Sequence, residues 1–162
     1  MSTEEQLLIL LRVAAAAGLG GVVGIEREWA GKAAGVRTHM FVAATAALLV
    51  ALGPALVNQF HEYASGDIIG ADPIRIVQAI VTGISFLGAG TIIFHRERRF
   101  IEGLTTAASI LLVSGLGITV GLEQWVLAVG VTVLAVVILA VIGFVETKLG
   151  LADHDPHERR DE

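Results

Sequence analysis

The chain has 162 residues, of which 54% are hydrophobic and 17% are charged, and it contains no cysteine. The absence of cysteine excludes disulfides, thiolate metal sites and cysteine nucleophiles. The apolar runs approach the roughly 20 residues that cross a bilayer core, which excludes an ordinary soluble domain of this length. The net charge of −5 is less informative than the positions of the charged residues. The composition predicts an all-α, polytopic membrane protein.

Five apolar runs predict a bundle of five transmembrane helices over residues 1–148. The predicted helices cover residues 6–25, 39–58, 74–94, 104–122 and 125–145. Residues 149–162 are polar and are predicted to form a disordered cytoplasmic tail. No Ser/His/Asp arrangement, metalloprotease helix or nucleotide fingerprint occurs, so we expect neither an enzyme nor a cofactor. Nucleic-acid binding is not expected either, because the basic residues are confined to membrane-adjacent loops.

Lysine and arginine residues predict the orientation in the membrane. Nine of the eleven follow the first, third and fifth predicted helices, whereas Arg12 and Arg75 lie on the opposite side. Because loops rich in lysine and arginine stay in the cytoplasm, the N-terminus is predicted to be outside and the C-terminus inside. Arg12 lies close enough to the outer face for its side chain to reach water.

Small and polar residues distinguish the predicted helices. Small residues let membrane helices approach closely, and the glycines expected at helix contacts are Gly20, Gly24, Gly88, Gly90, Gly117 and Gly121. The third helix also carries Gln78, Thr82 and Ser85 on one face. We therefore predict that the first, third and fourth helices lie inside the bundle, with the second beside them, and that the fifth faces lipid. Five helices need not bury every glycine stripe, so a homodimer is expected, with Gly20 and Gly24 at the proposed contact.

Charged residues are densest between the first two predicted helices, at residues 24–39. This segment can be read as an ordinary solvated cytoplasmic loop. Alternatively, Glu26 and Arg37 form an ion pair in a network at the inner membrane face, because an unpaired charge beside lipid is costly. The candidate residues of this network and of the nearby helix start are Glu26, Arg27, Lys32, Arg37, Thr38, Thr105 and Thr106.

The starts of the third and fourth predicted helices each carry residues that could bind an ion. Asp72, before Pro73, can cap the third helix, pair with Arg75, or attract a cation at the outer surface. The fourth predicted helix starts at Gly103 to Thr106, shortly after Arg96, Arg98 and Arg99. The free backbone amides of this helix start, together with the guanidinium groups, favour binding of an anion. An acidic lipid headgroup is the expected anion there.

Three segments in this order resemble the MgtC/SapB family of bacterial membrane proteins. They are residues 24–39 (Gly-Ile-Glu-Arg-Glu through Gly-Val-Arg-Thr-His), residues 72–90 (Asp-Pro-Ile-Arg, then Gly-Ile-Ser-Phe-Leu-Gly-Ala-Gly) and residues 103–108 (Gly-Leu-Thr-Thr-Ala-Ala). The resemblance implies a five-helix domain in the bacterial inner membrane. It also implies a link to magnesium limitation, to survival of pathogens inside host cells and to ATP synthase. The residues that match the motifs are Glu26, Arg27, Lys32, Arg37, Asp72, Arg75, Thr105 and Thr106.

The chain departs from the family pattern at two places. Members commonly place a tryptophan soon after the Thr-Thr-Ala-Ala motif, where this chain has Ile110, Leu111 and Leu112. Longer members carry a soluble C-terminal domain, whereas this chain is expected to end in its short polar tail. Functions that rely on that domain are therefore not carried over.

Two functions are compatible with the sequence. The first is a non-enzymatic membrane regulator that acts in magnesium homeostasis and in adaptation to low magnesium. The alternative is a Mg²⁺ channel or transporter in which Asp72 and the outer acidic loop attract the ion and the hydroxyl groups of the third helix pass it on. Mg²⁺ is thus a possible ligand or transported ion. Growth at low Mg²⁺ and Mg²⁺ uptake into proteoliposomes distinguish the two functions.

Overall fold

A computed structural model of the protein describes residues 1–63, 73–95 and 100–149. The helices are α1 (Thr3–Trp29), α2 (Val36–Tyr63), α3 (Pro73–Ala89), α4 (Leu104–Gly121) and α5 (Trp125–Lys148), and two short antiparallel strands are β1 (Ile93–His95) and β2 (Phe100–Glu102). Four helices, α1, α2, α4 and α5, are long and apolar enough to cross a membrane. The predicted helical membrane fold is confirmed. The predicted tail from residue 150 onward lies outside the described residues.

Contacts between the helices show how the chain runs through the bundle. Gly24 lies against Val36, so α1 and α2 are antiparallel, whereas Gly117 and Gly121 lie against Ala43 and Val50, so α2 and α4 run in the same direction. A chain that passes twice in one direction must return between the two passages, and α3 makes this return. The 17 residues of α3 extend about 26 Å, less than the roughly 30 Å of a bilayer core.

The centre of the bundle is built by α1, α2 and α4. The largest fully buried apolar side chains, Ile110 and Leu116, belong to α4, and the small Ala43 and Ala47 of α2 are also fully buried. As predicted, α5 is peripheral: only 17% of its apolar, membrane-spanning stretch is buried. The prediction that the first, third and fourth helices form the interior is wrong in one respect: α2 is central, whereas the polar face of α3 is exposed.

The third helix ends earlier than the sequence predicts. The predicted span reached residue 94, but α3 stops at Ala89 and the chain enters the β1–β2 hairpin. The hydroxyl of Thr91 donates to the Gly88 carbonyl at 2.7 Å, which supplies a partner for one of the last helical carbonyls. β-branched residues then favour an extended backbone. The hydropathy of this segment therefore reflects a strand as well as a helix.

Four of the glycines predicted at helix contacts pack against another helix of the same chain. A Cβ atom at Gly20 would lie 2.6 Å from the His39 carbonyl oxygen, and one at Gly24 would lie 2.7 Å from the Val36 Cα. At Gly117 it would overlap the Ala43 carbonyl oxygen, and at Gly121 it would lie 2.8 Å from the Val50 Cβ. These faces are already occupied by α2. The expectation that Gly20 and Gly24 form a dimer contact is therefore wrong, because those glycines have no free surface.

The position of Gly103, just before α4, accepts only glycine. Its φ of +89° belongs to the left-handed region that other residues rarely adopt, and an added Cβ would overlap the Thr91 carbonyl oxygen. This close approach holds the end of α3 against the start of α4. The backbone geometry therefore explains why residue 103 is glycine, without a ligand at this helix start.

Candidate functional site

A cluster of polar side chains is buried at the end of the bundle where α1 ends and α2 and α4 begin. Arg27 is 4% exposed, His39 is fully buried, and Thr106 and Ser109 are 3% and 5% exposed. We call these four residues, together with the half-buried Glu26, the His39 cluster. Ionisable groups inside a membrane protein are costly to bury and rare, so a cluster of this kind is the natural candidate for a functional site.

Close packing and one side-chain cap place His39 between α1 and α4. Gly20 and Gly24 of α1 lie against the backbone of the first turns of α2, so the two backbones approach closely around His39. The Glu28 carboxylate accepts a hydrogen bond of 2.9 Å from the Val36 amide, the first residue of α2. A carboxylate stabilises a free amide at a helix start. The end of α1 therefore fixes the start of α2.

The His39 ring connects α2 to α4 through two hydrogen bonds. Its Nδ1 lies 2.9 Å from the Gly35 carbonyl oxygen, and its Nε2 lies 3.1 Å from the Ser109 hydroxyl. A carbonyl only accepts, so Nδ1 carries a proton. The Ser109 hydroxyl also lies 2.9 Å from the Thr106 carbonyl oxygen.

This geometry fits two protonation states of His39 without movement of the ring. When His39 is neutral, Ser109 donates to Nε2. When His39 is an imidazolium, Nε2 donates to Ser109 and Ser109 donates to the Thr106 carbonyl. The hydrogen bonds of the ring are therefore satisfied in both states, and only the Ser109 hydroxyl changes its orientation.

Glu26 and Arg27 add two opposite charges beside this ring. Glu26 Oε2 and Arg27 Nε are 3.7 Å apart, which is an ion pair, and both atoms are buried without a hydrogen-bond partner. Both charges act electrostatically on His39. The predicted pairing of Glu26 with Arg37 is wrong, because Arg37 is exposed and the observed partner of Glu26 is its neighbour Arg27.

The other predicted site residues are not among the buried residues of the His39 cluster. Lys32, Arg37 and Thr105 are exposed, and Thr38 is partly buried. At the opposite end of the bundle Arg75 is exposed, and Arg12 forms a 2.8 Å ion pair with Glu123. A Cβ at Gly88 would make an ordinary contact with Ala107, and Gly90 faces the last turn of its own helix. Asp72 and the arginines of the predicted anion site, Arg96, Arg98 and Arg99, lie outside the described residues.

Reasoning from the sequence did not single out His39. His39 stands at the start of the second predicted helix, whereas in the structure it lies three residues inside α2, where an ionisable residue is a signal of function. Ser109 was noted only as a possible packing or pathway hydroxyl. In the part of the chain that the structure describes, no group of three or more His, Asp and Glu side chains is placed to hold a metal ion.

These observations define a multi-pass helical membrane protein. At one end of its bundle lies a buried site that contains a histidine and an ion pair. The model of the MgtC family matches residues 13–148, and the chain belongs to that family. The resemblance inferred from the three sequence segments is thereby confirmed.

Relatives of this chain include three bacterial proteins of greater length. It is 35% identical to "Putative magnesium transporter YhiD" of Escherichia coli K12, over 82% of this chain and 59% of that protein. It is 37% identical to "Protein MgtC" of Salmonella typhimurium LT2, over 81% and 52%. It is 36% identical to an uncharacterized protein of Haemophilus influenzae, over 72% and 48%. The chain thus spans about half of the length of these relatives. No solved structure matches it.

Proposed function

We propose that the protein is a non-enzymatic regulator of magnesium homeostasis in the bacterial inner membrane, acting when magnesium is scarce. Relatives named for magnesium transport and as MgtC support the connection to magnesium. Regulation rather than transport is supported by one observation in particular. Glycines bring the backbones of α1 and α4 directly against α2, so the centre of the bundle is filled by protein.

Transport through that centre would require a wide polar path. Mg²⁺ gives up its water reluctantly and usually keeps several water molecules. The buried hydroxyl group of Ser114 instead donates to a carbonyl of its own helix at 2.7 Å. That of Ser109 lies 2.9 Å from the Thr106 carbonyl oxygen and 3.1 Å from His39 Nε2. In the described part of the chain, the buried polar residues outside the cluster are Ser114 and Thr132, and both donate to carbonyls of their own helices. This arrangement suits a protein that senses or transmits a state rather than one that conducts an ion.

The charge distribution supports an orientation with the His39 cluster on the cytoplasmic side. In the described part of the chain, Arg27, Lys32, Arg37 and Lys148 lie at the cluster end of the bundle and Arg12 and Arg75 at the other. By the positive-inside rule, the N-terminus of the proposed regulator is outside. Anionic lipid headgroups suit the basic end. The family resemblance makes ATP synthase the first partner protein to test.

We expect proteoliposomes that contain only this protein to show no Mg²⁺ uptake above that of empty vesicles. The measurement is the fluorescence of a Mg²⁺ indicator enclosed in the vesicles after external Mg²⁺ is added. A known Mg²⁺ channel reconstituted in the same lipid is the positive control. Uptake that scales with the amount of protein would contradict the proposed regulatory function.

Transport is the second candidate function, and the exposed polar face of α3 favours it. Gln78, Thr82 and Ser85 could line a hydrated path where this helix meets another membrane protein or a second copy. If uptake is observed, Thr82→Val should reduce it while Thr132→Val should not, because Thr132 is buried and donates to the Ala128 carbonyl. Equal uptake by both variants would exclude α3 as the path.

A further inference from the structure

The polar residues of α3 form a row that the described part of the chain leaves exposed. Gln78, Thr82 and Ser85 are exposed, whereas Ile80 and Gly88 are buried. At 100° per residue, Gln78, Thr82 and Ser85 fall within about 60° of one another, and Ile80 lies on the opposite side of the helix. In a single copy this polar row would meet lipid, together with exposed apolar residues of α3 such as Ile74 and Phe86.

The hydrogen-bonding groups on this face are unused in the described structure. The hydroxyls of Ser114, Thr119 and Thr132 each donate to a carbonyl three or four residues earlier in their own helices. Gln78, Thr82 and Ser85 make no corresponding side-chain hydrogen bond. Because hydrocarbon offers no partner, a polar group left unpaired there costs free energy that a neighbouring helix can recover.

The spacing of this face is that of a helix–helix seam. Its residues are Arg75, Gln78, Thr82, Ser85 and Ala89, at steps of three, four, three and four. Alternating steps of three and four give the 3.5-residue repeat that keeps one stripe of a helix against a partner in a left-handed crossing. Such crossings are the common arrangement in membrane bundles.

We propose that α3 pairs with α3 of a second copy of this chain through Gln78, Thr82 and Ser85. Copies in one membrane have the same orientation, so the two helices meet in parallel and each residue faces its own counterpart across a twofold axis. An amide and a hydroxyl both donate and accept, so each can satisfy an identical group. The two Arg75 side chains come to the same helix end, where their length lets them reach water.

This proposal does not depend on the magnesium function, and it relocates the homodimer that the sequence predicts. The glycine stripes of α1 and α4 are occupied by α2 of the same chain, whereas the α3 row has no partner in the described structure. The exposed face of α5 is wholly different in kind, because large apolar residues such as Val133, Val137 and Val141 dominate it and suit lipid.

The absence of cysteine in the chain makes cross-linking a direct test. Single cysteines are placed at Gln78, Thr82 or Ser85 of the full-length protein in native membranes and oxidised with copper phenanthroline. We expect a disulfide-linked dimer for the three row positions. Val137→Cys, which is 50% exposed on α5, is the matched control and should remain monomeric. No dimer at the row positions, or an equal yield at Val137, would overturn the proposal.

Self-association in a bilayer gives a second measurement that does not need an engineered disulfide. The triple variant Gln78→Leu, Thr82→Val, Ser85→Ala keeps the shape of the face and removes its hydrogen bonds. We expect its dimer dissociation constant, measured by energy transfer between labelled copies, to rise at least about tenfold. An unchanged constant would overturn the proposal. So would cysteines in the row that cross-link a different membrane protein and never a second copy.

Discussion

Gly117→Ala is expected to destabilise the protein severely, although it adds a single methyl group. The new Cβ would overlap the Ala43 carbonyl oxygen and lie 2.8 Å from the Ala46 Cβ. The first clash is with backbone, which cannot turn aside as a flexible side chain can, so α2 and α4 must separate. We expect a loss of about 2–3 kcal/mol in the free energy of unfolding, near the upper end for an overpacked core.

Gly115→Ala is the matched control for this substitution. It lies two residues away in α4, and no heavy atom lies within 4 Å of its added Cβ. Thermal unfolding of the purified proteins in detergent should show a large decrease for Gly117→Ala and none for Gly115→Ala. Equal stability of the two variants would mean that α2 and α4 do not meet at Gly117.

Glu26→Gln is expected to have the second-largest effect. Arg27 has 5% of its side chain exposed, so loss of the Glu26 carboxylate leaves a buried guanidinium group without its counter-charge. Breaking a buried pair costs about 3–5 kcal/mol. Since 20% of the Glu26 side chain is exposed, we expect a smaller loss of about 2–3 kcal/mol.

Substitutions of the other member of the ion pair, Arg27, and of the exposed Arg37 provide the controls. Arg27→Met removes the more deeply buried charge and fills its place with an apolar chain, so it should cost less than Glu26→Gln. Arg37→Gln should leave stability unchanged, because Arg37 is exposed. Chemical denaturation in mild detergent measures all three. If Arg37→Gln lowered the free energy of unfolding as much as Glu26→Gln, the result would support the Glu26–Arg37 ion pair that the sequence predicts.

Hydropathy and glycine spacing predicted much of this fold. The five apolar runs gave five helices, and Gly20, Gly24, Gly117 and Gly121 marked places where helix backbones approach. The identity of the approaching helix could not be predicted, because a glycine stripe on one helix is equally suited to any partner. Only the three-dimensional arrangement shows that α2, which lacks such a stripe, receives both α1 and α4.

The sequence also could not show which side of a polar helix faces the bundle. The row of Gln78, Thr82 and Ser85 was assigned to the interior because polar groups usually avoid lipid, whereas the structure leaves it exposed within one chain. At the candidate site, Glu26 and Arg27 were recognised as charged residues near the membrane. Their contact with each other, and the joining of His39 to Ser109 across 70 positions of sequence, required the fold.

The central claim is that the His39 cluster carries the function of this protein in low magnesium. Ser109→Ala and Ser114→Ala test it most directly. Both serines are buried in α4, with the hydroxyl within hydrogen-bonding distance of a carbonyl three residues earlier, but only Ser109 contacts His39. The measurement is growth at limiting Mg²⁺ of a deletion strain that carries each variant at equal membrane levels. We predict that Ser109→Ala fails to restore growth and Ser114→Ala restores it. Full restoration by Ser109→Ala would contradict the claim.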